Sequence, residues 1–117
     1  MRTSAVLGSL LLVVVSGCAT VDVTKTAKGF YDPTRPDDVE ILITIPNKPY
    51  IELATVSTSN WNPNETAKMH NAMRAKAAPL GTHAVVVTNS GIVVVRNRSV
   101  LWSTGFALRY KGEEEAQ

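Results

Sequence analysis

A run of aliphatic residues from Ala5 to Val15 ends just ahead of the only cysteine in the chain, Cys18. The run is too short to cross a bilayer as a helix, which takes about 20 apolar residues. With Met1-Arg2 before it and Ser16-Gly17 after it, the segment has the charged, apolar and small-residue regions of an export signal. Residues 1–17 are therefore expected to drop out of the fold. What remains of the 117-residue chain suffices for one small domain. With a single cysteine, that domain can form neither an internal disulfide nor a Cys-rich zinc site. Lys and Arg number 12 against 10 Asp and Glu, a balance that argues against a nucleic-acid partner.

Val15-Ser16-Gly17-Cys18 resembles the bacterial lipobox, an aliphatic residue and two small ones ahead of Cys. The resemblance implies a diacylglyceryl thioether on Cys18, cleavage just before it, and acylation of the new N-terminus. Two or more acyl chains make attachment to a membrane stable, where one is marginal. Ala19, in place of an Asp, implies sorting to the outer membrane, facing the periplasm.

Beyond Cys18, residues 18–30 are mostly small and polar and read as the lipidated N-terminus with a flexible tether. Asp32 to Asp38, with Pro33 and Pro36, is turn chemistry. Val39–Ile45 and Tyr50–Ser57 are β-branched and aliphatic, hence two strands joined by the Pro46–Pro49 turn. Asn62, Pro63 and Glu65 form a helix start. Met69, Met73, Ala77 and Leu80 then define one apolar stripe. Pro79 ends the regular helix, and Gly81 reverses the chain. Ala84–Val87 and Ile92–Val95 read as strands across a Ser90-Gly91 hairpin turn. A last strand runs from Val100 to Tyr110, with Gly105 as a bulge or close-approach point. The expectation is an α+β domain over 31–111, a small antiparallel sheet of four to five strands with one helix on a face. The order is β-β-α-β-β-β, followed by a disordered tail over 112–117.

The segment from His70 to Val87 resembles the outer-membrane lipoprotein sensors of the Rcs envelope-stress phosphorelay. Asn71, Ala72, Met73, Arg74, Lys76 and Ala77 match that family's helix, and Ala84, Val85 and Val86 its following strand. The likeness covers about 20 residues and implies the fold more than the task. It departs in one respect: those sensors carry disulfides, and this chain beyond Cys18 has no thiol.

No residue set points to catalysis. His70 and His83 lack further His or Cys partners for a metal site, and neither a nucleophile elbow nor a Gly-rich phosphate loop occurs. The chain is read as a non-enzyme without cofactors. Binding features are clearer. Trp61 sits in a polar loop, where it either anchors a ligand or folds back as a staple on the helix start. The hairpin AVVVTNSGIVVV is valine-rich on both faces, yet one helix covers one face only. Its second face meets either internal cover or a protein, another copy or an envelope partner. Arg96 and Arg98, and likewise Arg109 and Lys111, are spaced to share a strand face. If the strands pair, a basic strip forms, either a solvated edge or a surface for anionic lipid or glycan. The leading expectation is an anchored envelope lipoprotein that works through protein contact; the alternative is a glycan- or lipid-binding module.

Overall fold

The computed structural model describes residues 19–112. Cys18 and the expected signal segment lie outside the described residues, as do 113–117. Five strands and one helix are present: β1 (Thr20–Lys25), β2 (Glu40–Leu42), β3 (Tyr50–Trp61), α1 (Thr66–Ala77), β4 (Ala84–Val95) and β5 (Arg98–Tyr110). They form one mixed sheet in the order β1-β3-β5-β4-β2. Three of the pairings are antiparallel, and β2 lies parallel to β4.

The α+β class with one helix therefore holds, while the element order and the purely antiparallel sheet do not. Three differences account for this. Thr20–Lys25 is an edge strand on β3 and not a tether. Val21 and Val23 alternate with exposed residues and pack their half-buried side chains onto the core. The expected first strand shrinks to Glu40–Leu42 and never meets β3. Both flanks of β3 are occupied by longer partners, β1 and β5. The Pro46–Pro49 segment instead crosses the end of β5, where the Lys111 N–H donates to the Pro49 carbonyl at 3.1 Å. Third, Ala84–Val95 is one uninterrupted 12-residue strand. The turn comes at Arg96-Asn97, with φ of 51° and 63°. Both residues being left-handed is the type I′ geometry that suits the twist of a two-residue hairpin.

The helix follows its stripe. Met69, Met73 and Ala77 are buried against Leu53, Val56, Val85 and Ala107 of the sheet. Burying each methionine contributes about 1.5–3 kcal/mol. The helix begins later than expected, because Pro63-Asn64 closes a turn in which the Glu65 N–H donates to the Asn62 carbonyl at 2.9 Å. The Glu65 carboxylate accepts from the Asn62 N–H at 2.9 Å, so the return half of a capping box survives. Pro79 lies in a short 3-10 turn, and Gly81 follows at φ 88°. The left-handed Gly81 also lets Tyr31 and Asp32 pass close by, since a Cβ there would meet the Tyr31 Cβ at 2.6 Å.

On the opposite face the sheet covers itself in part. Ala84, Val86 and Leu108 are buried beneath Leu42, Tyr50, Phe106 and Tyr110. Tyr50 and Phe106 stack at 5.9 Å between centroids, and the Lys48 ammonium lies 4.7 Å from the Tyr110 ring. Higher up, Trp102 lies across Gly91. The residues of the resemblance do structural work in this frame. Met73 and Ala77 fill the core, and the Arg74 guanidinium donates to the Val39 carbonyl at 2.9 Å. Ala84–Val86 is the one stretch of β4 with a strand on each side.

Candidate functional site at the hairpin end

The upper part of β4 is unlike the lower. Beyond Val86 its outer edge pairs with no strand among the described residues. Ile92, Val93, Val94 and Val95 are 58%, 46%, 69% and 45% exposed. The ladder to β5 slips between Val87 and Asn89, a bulge that inserts one residue and resets which side chains face which way. Ile92 lies across from Leu101 on the helix side, and Val93 across from Val100. Both faces of the ribbon are therefore apolar, as the valine pattern requires; on β5 cover reaches Leu101 and Val100, but it leaves Ile92–Val95 of β4 exposed.

Beside this ribbon the sheet end forms a double cleft. One part, about 460 Å³, is lined by Asn60, Val95, Arg96, Arg98 and Val100. Its neighbour, about 380 Å³, adds Ala19, Trp61 and Lys68 and shares Asn60 and Arg98. A register shift between Thr58 and Trp61 creates the corner, with Asn60 at φ 70°. Asn is one of the few residues that tolerate that region. Trp61 is half-buried on the core, and its indole N–H donates to the Thr58 hydroxyl at 2.6 Å. It is thus packed and hydrogen-bonded, with one flank facing the cleft. The Glu65 carboxyl is held below its usual range by the Asn62 N–H and, more weakly, by Lys68 at 3.4 Å.

The basic strip does not form as expected. Arg96, in the turn, and Arg98, just after it, share a cleft, but Arg109 lies toward the far end of β5. At about 3.3 Å per residue that is roughly 35 Å away. Arg109 instead donates to the Gly81 carbonyl at 3.0 Å and stacks its guanidinium 5.0 Å over Tyr31. It pins the Tyr31 loop and belongs to no site with Trp61. Lys68, which no sequence motif singles out, joins Arg98 because α1 begins beside the corner.

The histidines are apart from the cleft and from one another's elements. His83 accepts from the Tyr110 N–H at Nδ1 (3.0 Å) and stacks on that residue's ring. Burial, then the nearby Arg109 charge, pushes its pKa below the usual histidine value. His70 is depressed in the same way by burial and Arg74. No group of three or more His, Cys, Asp or Glu among the described residues is placed to hold a metal ion. No helix among them is long and apolar enough to cross a membrane.

No protein-family model matches this sequence, and no curated protein matches it. A solved structure of similar fold is the crystal structure of the Francisella virulence factor FvfA, in its orthorhombic form. It is 16% identical with a TM-score of 0.52, covering 77% of this chain and 97% of that one. At that identity the likeness shows a shared fold alone.

Proposed function

We propose that this chain is a lipid-anchored bacterial envelope protein that works without catalysis, by lending the open edge of β4 to a protein partner. The observation that carries the reading is Ile92–Val95, four consecutive exposed aliphatic residues on the part of β4 whose outer edge has no neighbour among the described residues. Natural edges of this kind are usually guarded by Lys, Pro or a covering element. An unguarded one is suited to strand addition, in which main-chain hydrogen bonds supply affinity and alternate side chains supply selectivity. The envelope location rests on the lipobox at Cys18 and on Ala19, and the Rcs-like helix and strand are in keeping with it. The non-catalytic reading rests on the lack of any sequence motif with a defined catalytic context.

The test is a photo-crosslinking side chain placed at Val94 in cells, with Ser57, exposed on β3, as the control position. We expect discrete adducts from Val94 alone, lost in a chain also carrying Ile92→Lys. The partner identified by mass would then bind the purified chain with the same dependence. Adducts no stronger at Val94 than at Ser57 would remove the edge as the working surface. A second reading, binding of envelope lipid or glycan, gains from the cleft that joins Trp61 with Arg98 and Lys68.

A further inference from the structure

The register of β1 says which end of the domain an anchor at Cys18 would approach. β1 pairs with β3 from Thr20↔Ser59 at one extreme to Lys25↔Ala54 at the other. Its first residue therefore lies where β3 finishes, beside the β4–β5 hairpin. Ala19 lines the same cleft as Asn60, Trp61, Lys68 and Arg98. Only Ala19 separates Cys18 from the sheet in sequence, since Thr20–Lys25, within the stretch expected to be a tether, is a strand.

The charge at this end is predominantly basic. Arg96, Arg98 and Lys68 converge on the cleft, and the one carboxylate lining it, Glu65, already accepts from Asn62 and Lys68. Neither Arg96 nor Arg98 has a side-chain hydrogen bond or ion pair among the described residues. The two-residue turn puts Arg96 at the extreme tip, and Arg98 opens β5 directly across from Val95.

We infer that this end is a docking surface for anionic phospholipid headgroups of the leaflet that holds the anchor. The inference rests on acylation of Cys18. Arg96 and Arg98 offer planar forks to lipid phosphates, and Lys68 adds a point charge. Trp61 lines the same cleft, set back from the tip beside Leu101. Because the tip is Arg-Asn-Arg, the contact is with headgroups and does not reach the acyl chains. The domain thus stands on its hairpin, and the open β4 edge is held just above the bilayer. A partner strand must reach it there.

The experiment uses the chain from Cys18 onward, which holds every described residue, coupled through its thiol to a maleimide lipid in vesicles. Anchoring is then chemical. Whether cells acylate Cys18 is decided separately, by intact mass of membrane-extracted protein. The readout is quenching of tryptophan fluorescence by a headgroup nitroxide lipid; Trp61 and Trp102 both lie at the root of the hairpin. Quenching should be strong in phosphatidylglycerol-rich vesicles, weak in phosphatidylcholine, and reduced by salt. Each tip arginine should account for about a fivefold change in the docked-to-undocked ratio. Arg96→Glu/Arg98→Glu should therefore abolish the preference, and Lys111→Glu at the other end should leave it. Should the double variant fold poorly, the salt titration of the unchanged chain decides. Equal quenching in the two vesicle types, or none lost with salt, would overturn the proposal. So would complete competition by inorganic phosphate at millimolar concentration, which would reassign the cleft to a soluble anion.

Discussion

Gly105→Ala is the substitution whose outcome the structure specifies most tightly. A Cβ at Gly105 would meet the Val86 carbonyl oxygen at 2.0 Å and the Val86 carbonyl carbon at 3.0 Å. Ordinary contact begins near 3.4 Å, so the two strands must part by more than 1 Å at the buried centre of the sheet. Both obstacles are backbone, which cannot swing aside as a side chain can. Parting them breaks one or two ladder hydrogen bonds and leaves their groups unsatisfied at about 1–3 kcal/mol each. The expected loss is about 2–5 kcal/mol, a large share of the roughly 5–15 kcal/mol available to a domain. At about 4–8 °C per kcal/mol for a domain this small, the melting temperature should fall by roughly 10 °C or more. Gly91→Ala is the internal control. Its Cβ would meet only Trp102 ring atoms at 3.2 and 3.3 Å, and an indole on a half-exposed face can tilt away. That variant should stay within about 1 kcal/mol of the parent. Urea unfolding followed by circular dichroism measures both. A Gly105→Ala chain as stable as Gly91→Ala, with an unchanged m-value, would refute the close approach and with it the bulge that orients Ile92–Val95.

Four further outcomes are expected. Arg109→Met loses the bonds to Gly81 and the Tyr31 ring and should cost about 1–3 kcal/mol, with faster proteolysis near residues 28–35. Arg98→Glu at the exposed tip should stay within about 0.5 kcal/mol of the parent, so melting curves alone separate the pinning arginine from the tip arginine. His83 has a folded pKa below its unfolded value, so the unfolded chain binds more protons. Its contribution is complete above about pH 6.5 and lost as pH falls through the folded pKa; in His83→Gln the acid limb of the stability–pH curve should flatten, with His70 and, at lower pH, Glu65 still contributing. Met73→Ala removes a fully buried side chain beneath the sheet and should cost about 2–5 kcal/mol, measured by the same urea titration.

How much of this was legible in the sequence differs by element. The helix stripe at Met69, Met73 and Ala77 was, because a period of 3.6 residues needs only local geometry and one apolar face to cover. Gly81 as a reversal and Gly105 as a close approach were also legible, from glycine's lack of a Cβ. The two-faced apolar character of Ile92–Val95 followed from composition, since four consecutive aliphatic residues cannot all face one core. β1 carried a faint signal, Val21 and Val23 two apart, that small polar neighbours masked. The site was half legible: Trp61 and the Arg96/Arg98 pair were named from sequence, Lys68 was not, and Arg109 was wrongly joined to them.

Local preferences could be read from the residues alone: one amphipathic helix, several β-branched segments, and a cysteine whose surroundings resemble a lipobox. Only the tertiary structure decided which strands are neighbours, that β2 runs parallel to β4, and that the turn falls at Arg96-Asn97 instead of Ser90-Gly91. The reason is register. A strand's partner is chosen by hydrogen bonds to residues distant in sequence, and a shift of one residue moves every side chain to the other face. Gly91 sits flat in a strand because Trp102, from the neighbouring strand, packs across it. Arg109 and Arg98 share one strand yet serve opposite ends of the sheet, because β5 is long enough to connect the Tyr31 loop with the hairpin tip.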